Sequence, residues 1–392
     1  MHPLTEYIKA GETPKKGRVG IEVEHFVLDA GGHPLTYEAL VPVLDAIAPF
    51  YERTGTEEGH VIELENQQAL VTLEPGSQLE LSFACTDDMA GIGTWYAREA
   101  GRIGHILQDM DARLVYSGGL PTTAADQVER ILKRRYAFME RWFEFAGTRG
   151  KEMMKATASV HGSIDYENEE DFVRKVRAGY ILHPLLAFLM SNTKTYGGKP
   201  NQDILLRDSI WHHTDSRRCG TIPGLFSHTF GYEAYAQWLA QMPVILVKNQ
   251  GEYIYEGPMT VCKAGEKYGW DAPHIAHYLS MAFPDVRVKQ CIEVRSADSV
   301  PQPYIQAYAA LLKGLFYSEE VLDQVLSWAH SESELEAAKA ALRQDGYEAA
   351  VYGKPVTDRL DWLLDHARLP HSEKAMLEPF RTLVKERKHI YE

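Results

Sequence analysis

Cysteine is scarce in this sequence. Only Cys85, Cys219, Cys262 and Cys291 occur among 392 residues. None are spaced as CxxC, and no histidine cluster completes a zinc pattern. The expectation is four reduced thiols in a cytoplasmic protein, not a disulfide framework or a thiolate metal site. Basic charge is in deficit as well. The net charge of −14 makes the chain a poor candidate for nucleic-acid binding through bulk electrostatics, leaving only a local basic groove. Long apolar runs are missing. The longest, near 180–190, contains His183 and Pro184 and falls short of the ~20 residues that span a bilayer. The opening MHPLTEYIKAGETPKKG lacks the apolar stretch of a secretory leader. Two nucleotide-binding fingerprints are also absent: there is no GxxxxGK[ST], and no GxGxxG follows a strand. No repeat or low-complexity segment is present.

What remains is ample material for a core, with 45% hydrophobic residues. A period of two predicts a strand over 18–29, short strands at 61–66, 69–74 and 78–83, and further strands at 156–166 and 286–295. The links Gln67-Gln68 and Pro75-Gly76-Ser77 are short enough to join antiparallel neighbours. Residues 244–262 read as strand-rich and 193–230 as irregular. Helical spacing is expected over 1–10, 36–53, 87–112, 124–146, 169–192, 272–282 and from 301 to the end. Hairpins mixed with helix pairs predict an α+β fold with helices packed on the apolar face of the sheet. No composition shift divides the chain. The expectation is a single catalytic domain over 1–392, with a core at 15–300 and a helical C-terminal layer at 301–392.

The strands share a layout. Val19, Ile21 and Val23 alternate with Gly20, Glu22 and Glu24. Glu74, Gln78, Glu80 and Ser82 alternate with leucines, valine and Phe83. Ser159, His161 and Ser163 alternate with Val160 and Ile164, and Glu293 and Arg295 with Ile292 and Val294. For any one strand a solvated acidic face is the plainer explanation. Five strands alike favour a common site. If they share a sheet, one face gathers Glu22, Glu24, Glu74, Glu80, His161 and Glu293. Carboxylates that close repel one another by several kcal/mol unless cations neutralise them. Oxygen donors with one imidazole suit Mg²⁺ or Mn²⁺ better than Zn²⁺. Mg²⁺ held by few carboxylates commonly accompanies phosphate oxygens, so metal–nucleotide chemistry is expected. Elsewhere, LKRR at 132–135 reads as an exposed helix face. His274 and His277 lie three apart on an expected helix, and with no acid expected to join them they are not read as metal ligands. The His212-His213 pair faces either substrate or solvent.

At LEPGSQLELS (73–82) the sequence resembles the glutamate–cysteine ligase family of the plant and proteobacterial type. Gly20, Glu22 and Glu24 match that family's GxExE-like first strand. RKVRAG (174–179), GKPN (198–201), RDSIWHHTDSRRCG (207–220) and EVRSADS (293–299) match later segments, in order, over roughly 17–330. The resemblance implies an ATP- and Mg²⁺-dependent carboxylate–amine ligase. It would form a γ-glutamyl amide through a γ-glutamyl phosphate, as in the first step of glutathione-type thiol synthesis. It also implies a glutamine synthetase-like fold, a curved, mainly antiparallel sheet with nucleotide and metals across its polar face. On that reading Glu22, Glu24, Glu80, His161 and Glu293 hold metal, and Glu22, Glu293 and Arg295 are catalytic. Arg295 is placed on the transferring phosphoryl, which its planar fork matches. Arg207 and Arg218 are expected on the substrate α-carboxylate, with Gln78, Ser82 and Trp211 as further glutamate contacts. Glu74 is either a ligand or a hairpin residue, and Arg177 either a salt bridge or a substrate contact. Departures from the family pattern leave the acceptor open between cysteine and another amine. His161 stands where plant enzymes have Gln, Ser296 and Ser299 replace glycines, and Cys219 replaces a Thr. A guanidino-kinase-like phosphotransferase and a non-catalytic nucleotide-binding relative are the alternatives of other classes. No nucleic-acid or membrane partner is expected.

Overall fold

The computed structural model describes residues 2–14, 17–57 and 59–392. Residue 1 of the helix expected over 1–10 and the residue-15 start of the expected core lie outside the described residues. One large sheet is built from β1 (Val19–Asp29), β2 (Arg53–Glu57), β3 (His60–Glu65), β4 (Ala69–Leu73), β5 (Leu79–Thr86), β6 (Ala112–Val115), β7 (Ser159–Ile164), β8 (Val286–Val288) and β9 (Ile292–Asp298). Its order is β8-β9-β7-β1-β5-β4-β3-β2, with β6 paired to β1. Each of these pairings is antiparallel. The two-to-three-residue links read from the sequence therefore do join neighbours.

Alternation decides the faces. Ile21, Val23, Val71, Leu81, Val160 and Val294 are fully buried on one side. Helices cover that side: α1 (Met89–Gln108), α3 (Glu169–Leu189) and α5 (Tyr304–Phe316). The contact with α5 is close, because a Cβ on Gly162 of β7 would lie 2.1 Å from Leu312 Cδ1. Three further helices matter to the site: α2 (Arg134–Ala146), α4 (Leu206–His212) and α6 (Glu332–Asp345). Side-chain caps set several starts. Asp88 accepts from the Gly91 N–H and Asn168 from the Asp171 N–H. Ser331 and Glu334 form a reciprocal cap at α6, with Glu334 accepting from the His330 N–H.

Four local expectations change. The single strand expected over 286–295 is instead the antiparallel pair β8 and β9, separated by residues 289–291. The helix expected over 36–53 ends at Ile47, and β2 follows a short turn around Pro49. The region read as irregular contains α4. The helix expected over 124–146 begins only at Arg134. Before it the chain is pinned to the β4–β5 hairpin, where the Ile131 N–H donates to Pro75 O and Lys133 Nζ to Leu73 O. That contact turns the start of α2 toward the polar face of the sheet.

Candidate active site

The register of the sheet brings the polar side chains together. Glu24 lies opposite Glu80, and Glu22 opposite both Ser82 and His161. Arg287 of β8 lies opposite Glu293 of β9. A cleft of about 390 Å³ opens on this face. Glu22, Glu24, Glu74, Gln78, Glu80, Ser82, His161, Arg207, Trp211 and Arg295 line it. Glu293 is buried beneath, with its side chain 0% exposed.

Two groups of acids differ in their surroundings. In the first, ligand atoms of Glu22, His161 and Glu293 all lie within 4.8 Å of one another. His161 Nδ1 is 3.4 Å from Glu22 Oε2, and its Nε2 is 2.8 Å from Ser159 Oγ. Ser159 donates in turn to Glu24 at 2.8 Å. Burial and the nearby Arg295 push His161 down to about 4, so its imidazole is neutral. A metal-ligating histidine must be neutral. Burial and Glu293 push Glu22 up, but the His161 hydrogen bond and Lys289 outweigh them and its carboxyl stays low. Glu293 is surrounded by cations, with Arg287 at 2.5 and 2.8 Å, Arg295 at 3.1 Å and Lys289 at 3.3 Å. Burial would raise it, yet these three hold it well below the usual carboxylate range.

The second group, Glu24, Glu74 and Glu80, is under-compensated. Burial and Glu74 push Glu24 up to about 7. Burial with Glu22, Glu74 and Glu24 raises Glu80 well above its ordinary value, although Thr72 and Ser82 donate to it at 2.8 and 3.2 Å. Burial acts first here, and the mutual repulsion of clustered carboxylates adds to it.

Cations and thioethers line the rest of the cleft. Arg295 stacks on Trp211 with its guanidinium 5.2 Å from the ring centroid. Arg207, on α4, is 4% exposed and donates to Ala297 O at 2.8 Å. Arg135, at the start of α2, lines the cleft and donates to Ser280 O at 3.1 Å. The Nε atoms of Arg135 and Arg207 are buried without a hydrogen-bond partner among the described residues. Unpaired buried guanidinium donors favour an anion. Met139, Met153, Met154 and Phe283 supply the apolar surface.

Some expected contacts go elsewhere. Arg218 is wholly buried, and its donors go to Asp215 at 2.9 Å, Met281 O at 2.8 Å and Pro243 O at 2.8 Å. It clamps loops and does not line the cleft. Arg177 donates to Leu225 O and Ser227 O at 2.9 and 2.6 Å, also away from the cleft. Gln78 reaches the wall, but its amide is committed to Gly76 N, Met154 O and Thr157 O, which lock the hairpin. Conversely, LKRR is not an exposed helix face, since Arg135 points inward. Arg287 and Lys289 also line the cleft and were not singled out from the sequence. Their signal was present, because they alternate with Val286 and Val288 in the same period of two.

A family model described as glutamate–cysteine ligase family 2 matches residues 18–384. The chain is 30% identical over 351 residues to the chloroplastic glutamate–cysteine ligase of Medicago truncatula, spanning 85% of this chain and 68% of that one. It is 29% identical over 348 residues to the chloroplastic enzyme of Arabidopsis thaliana, spanning 85% and 66%. The fold resembles a crystal structure of glutamate–cysteine ligase from Francisella tularensis in complex with AMP. The TM-score is 0.57 at 13% identity, covering 97% of this chain and 84% of that chain. Among the described residues no helix is long and apolar enough to cross a membrane.

Proposed function

Because the chain belongs to glutamate–cysteine ligase family 2, we propose that the cleft joins the γ-carboxylate of glutamate to the α-amine of cysteine at the expense of ATP. The observation that carries this reading is the convergence of Glu22, His161 and Glu293 with Arg295, Arg207 and Arg135 around one cleft.

The donor set fits a hard divalent cation. It offers carboxylate oxygens and one neutral imidazole, and the raised carboxyls of Glu24 and Glu80 mark an excess of negative charge. Glu22, Glu24, Glu80, His161 and Glu293 would hold Mg²⁺ or Mn²⁺, which supplies neutralisation where ATP phosphates approach the attacking carboxylate. The remaining work falls to the chain. Arg295 and Arg287 stabilise charge on the transferring phosphoryl. Arg135 and Arg207 bind anionic substrate groups and fix their direction, with Trp211 and Ser82 beside them. In the first step a γ-carboxylate oxygen bonds to the γ-phosphorus as the bond to ADP breaks. In the second the amine bonds to the acyl carbon and phosphate departs. Met139, Met153, Met154 and Phe283 give the acyl phosphate a dry wall that limits its hydrolysis.

The core and the C-terminal layer would act as one catalytic domain, since α5 lies directly on β7. The reaction belongs in the cytoplasm on this reading, because all four cysteines are free thiols. The test is ADP release with glutamate, Mg²⁺ and a panel of amines, followed by mass spectrometry of the product. γ-Glutamylcysteine is expected as the preferred amide. A different preferred amine would reassign the acceptor. ADP without any amide would indicate a phosphotransferase, and no ADP with any amine would remove the ligase reading.

A further inference from the structure

A lysine from the C-terminal layer is buried behind the cleft. Lys339 lies on α6, and its side chain is 2% exposed. Its Nζ is 2.9 Å from Asp208 Oδ1 and 2.8 Å from Asp285 Oδ2. Glu336 of the same helix is 3.4 Å away. His183 of α3 completes the group, with Nε2 3.0 Å from Asp208 Oδ1 and Nδ1 2.9 Å from Ser296 Oγ. Arg343, one turn further along α6, pairs with the other Asp208 oxygen. By donor type His183, Asp208 and Asp285 resemble a metal-binding set, but the Lys339 ammonium already sits between the two carboxylates. Burial alone would push that ammonium down. Asp208 and Asp285 hold it well above the ordinary lysine value.

Both aspartates that hold Lys339 adjoin cleft residues. Asp208 follows Arg207 on α4. The carbonyl of Asp285 accepts from the Arg295 N–H at 3.2 Å. Ser296, which meets His183, follows Arg295. A void of only about 20 Å³ separates this network from the cleft, with Arg207, Trp211, Phe283 and Arg295 in the shared wall. Burying such a network is a weak route to stability, because apolar side chains of similar volume commonly do as well or better. A network of this kind fixes one arrangement of the segments it joins.

We propose that Lys339 is a positioning residue of the active site. Its ammonium pins Asp208 to Asp285, and this sets α4, which carries Arg207 and Trp211, against the β8–β9 ribbon, which carries Arg287 and Arg295. The C-terminal layer thereby completes the site without touching substrate. The inference rests on the ligase reading of the cleft.

The test uses the full chain as wild type, K339M, K339R and K339M/D285N, with initial-rate kinetics per folded protein and thermal unfolding of each. K339M is expected to lose ~10²-fold in kcat with KM for ATP changed by less than about threefold, because a small misplacement of catalytic groups costs that much. K339R keeps the charge and should recover at least about tenfold of that loss. K339M/D285N removes one charge of each sign, so it carries the test where K339M does not fold. A positioning role predicts that Tm returns toward wild type in the double variant while kcat stays low. A return of kcat together with Tm, or wild-type kcat in K339M, overturns the inference and leaves the ligase reading intact. A wild-type protein that releases no ADP with any amine removes both.

Discussion

Replacing Glu293 with Gln takes one charge out of a sealed site and leaves three cations facing one another. The Glu293 side chain is 0% exposed, and Arg287, Arg295 and Lys289 all lie within 3.3 Å of its oxygens. Breaking a buried ion pair costs about 3–5 kcal/mol, because the stranded partners keep their desolvation penalty. Gln retains a carbonyl for Arg287, so the lower end, about 3 kcal/mol, is expected. An unfolding entropy near 2.1 cal/mol/K per residue amounts to about 0.8 kcal/mol/K over the whole chain of 392 residues. E293Q should therefore lower Tm by roughly 4 °C.

The pH dependence follows from the direction of the shift. Glu293 ionises well below its ordinary value of 4.5 in the folded chain. A carboxyl lowered by folding stabilises fully above its unfolded pKa, and loses that contribution as pH falls through the folded value. The assay is scanning calorimetry or fluorimetry in chelator from pH 8 to pH 3.5, comparing wild type with E293Q. The Tm difference should be constant at neutral pH and shrink below pH 4.5. A difference of zero at pH 7, or one that widens on acidification, would refute the account of Glu293 as a charge shared by three cations.

Arg295→Lys should lower kcat by ~10²-fold or more, since an ammonium cannot make the bidentate contact or stack on Trp211 in the same way; steady-state kinetics with a mild loss would remove the proposed role. Glu22→Gln should cost at least ~10²-fold in turnover at saturating Mg²⁺, and near-normal rates there would count against metal binding by Glu22. Arg135→Met should raise KM for glutamate or ATP about tenfold with a smaller effect on kcat, because it removes a guanidinium with an unpaired Nε; an unchanged KM for both would exclude substrate contact. Asp215→Asn should destabilise by about 3 kcal/mol in denaturant unfolding, because Arg218 would then be buried without its counter-charge.

The polar face of the sheet was legible because a strand's period of two holds whatever its partners are. Once β1, β5, β7 and β9 pair, Glu22, Glu24, Glu80, His161 and Glu293 must share a side. Pairing order and register were not legible from alternation alone. The family resemblance implies only a mainly antiparallel sheet with one polar face, and the fold agrees with that; the order and register come from the structure alone. Arginines were the harder residues. Arg217 and Arg218 are adjacent in sequence, yet one is half-exposed and the other fully buried against Asp215 and two carbonyls. Nothing local distinguishes them. Arg135 was read as exposed because LKRR resembles the start of a solvated helix. Its direction is set by hydrogen bonds from 131 and 133 to a hairpin sixty residues earlier. Lys339 sits in a helix whose sequence is otherwise a plain amphipathic pattern, and its partners lie 131 and 54 positions away.

The charges of the cleft divide into two halves, and the division bears on the proposed reaction. Around Glu293 the cations Arg287, Lys289 and Arg295 outnumber the nearby acids Glu293 and Glu22. Around Glu80 the acids Glu24, Glu74 and Glu80 crowd together, and two of them are raised. A lone polyphosphate would satisfy the first half and aggravate the second. A lone divalent cation would relieve the second, but at Glu293 it would meet the charges of Arg287, Lys289 and Arg295. A nucleotide that arrives with its metal satisfies both at once, and each of its parts relieves a repulsion the other cannot. The same division gives direction. On the proposed reaction the anion-accepting half would hold the phosphoryl acceptor and donor together against Arg295, while the acid-rich half would repel a second free carboxylate. On the proposed reaction, the free energy that favours the loaded site is then the charge imbalance already built into the polar face of the sheet.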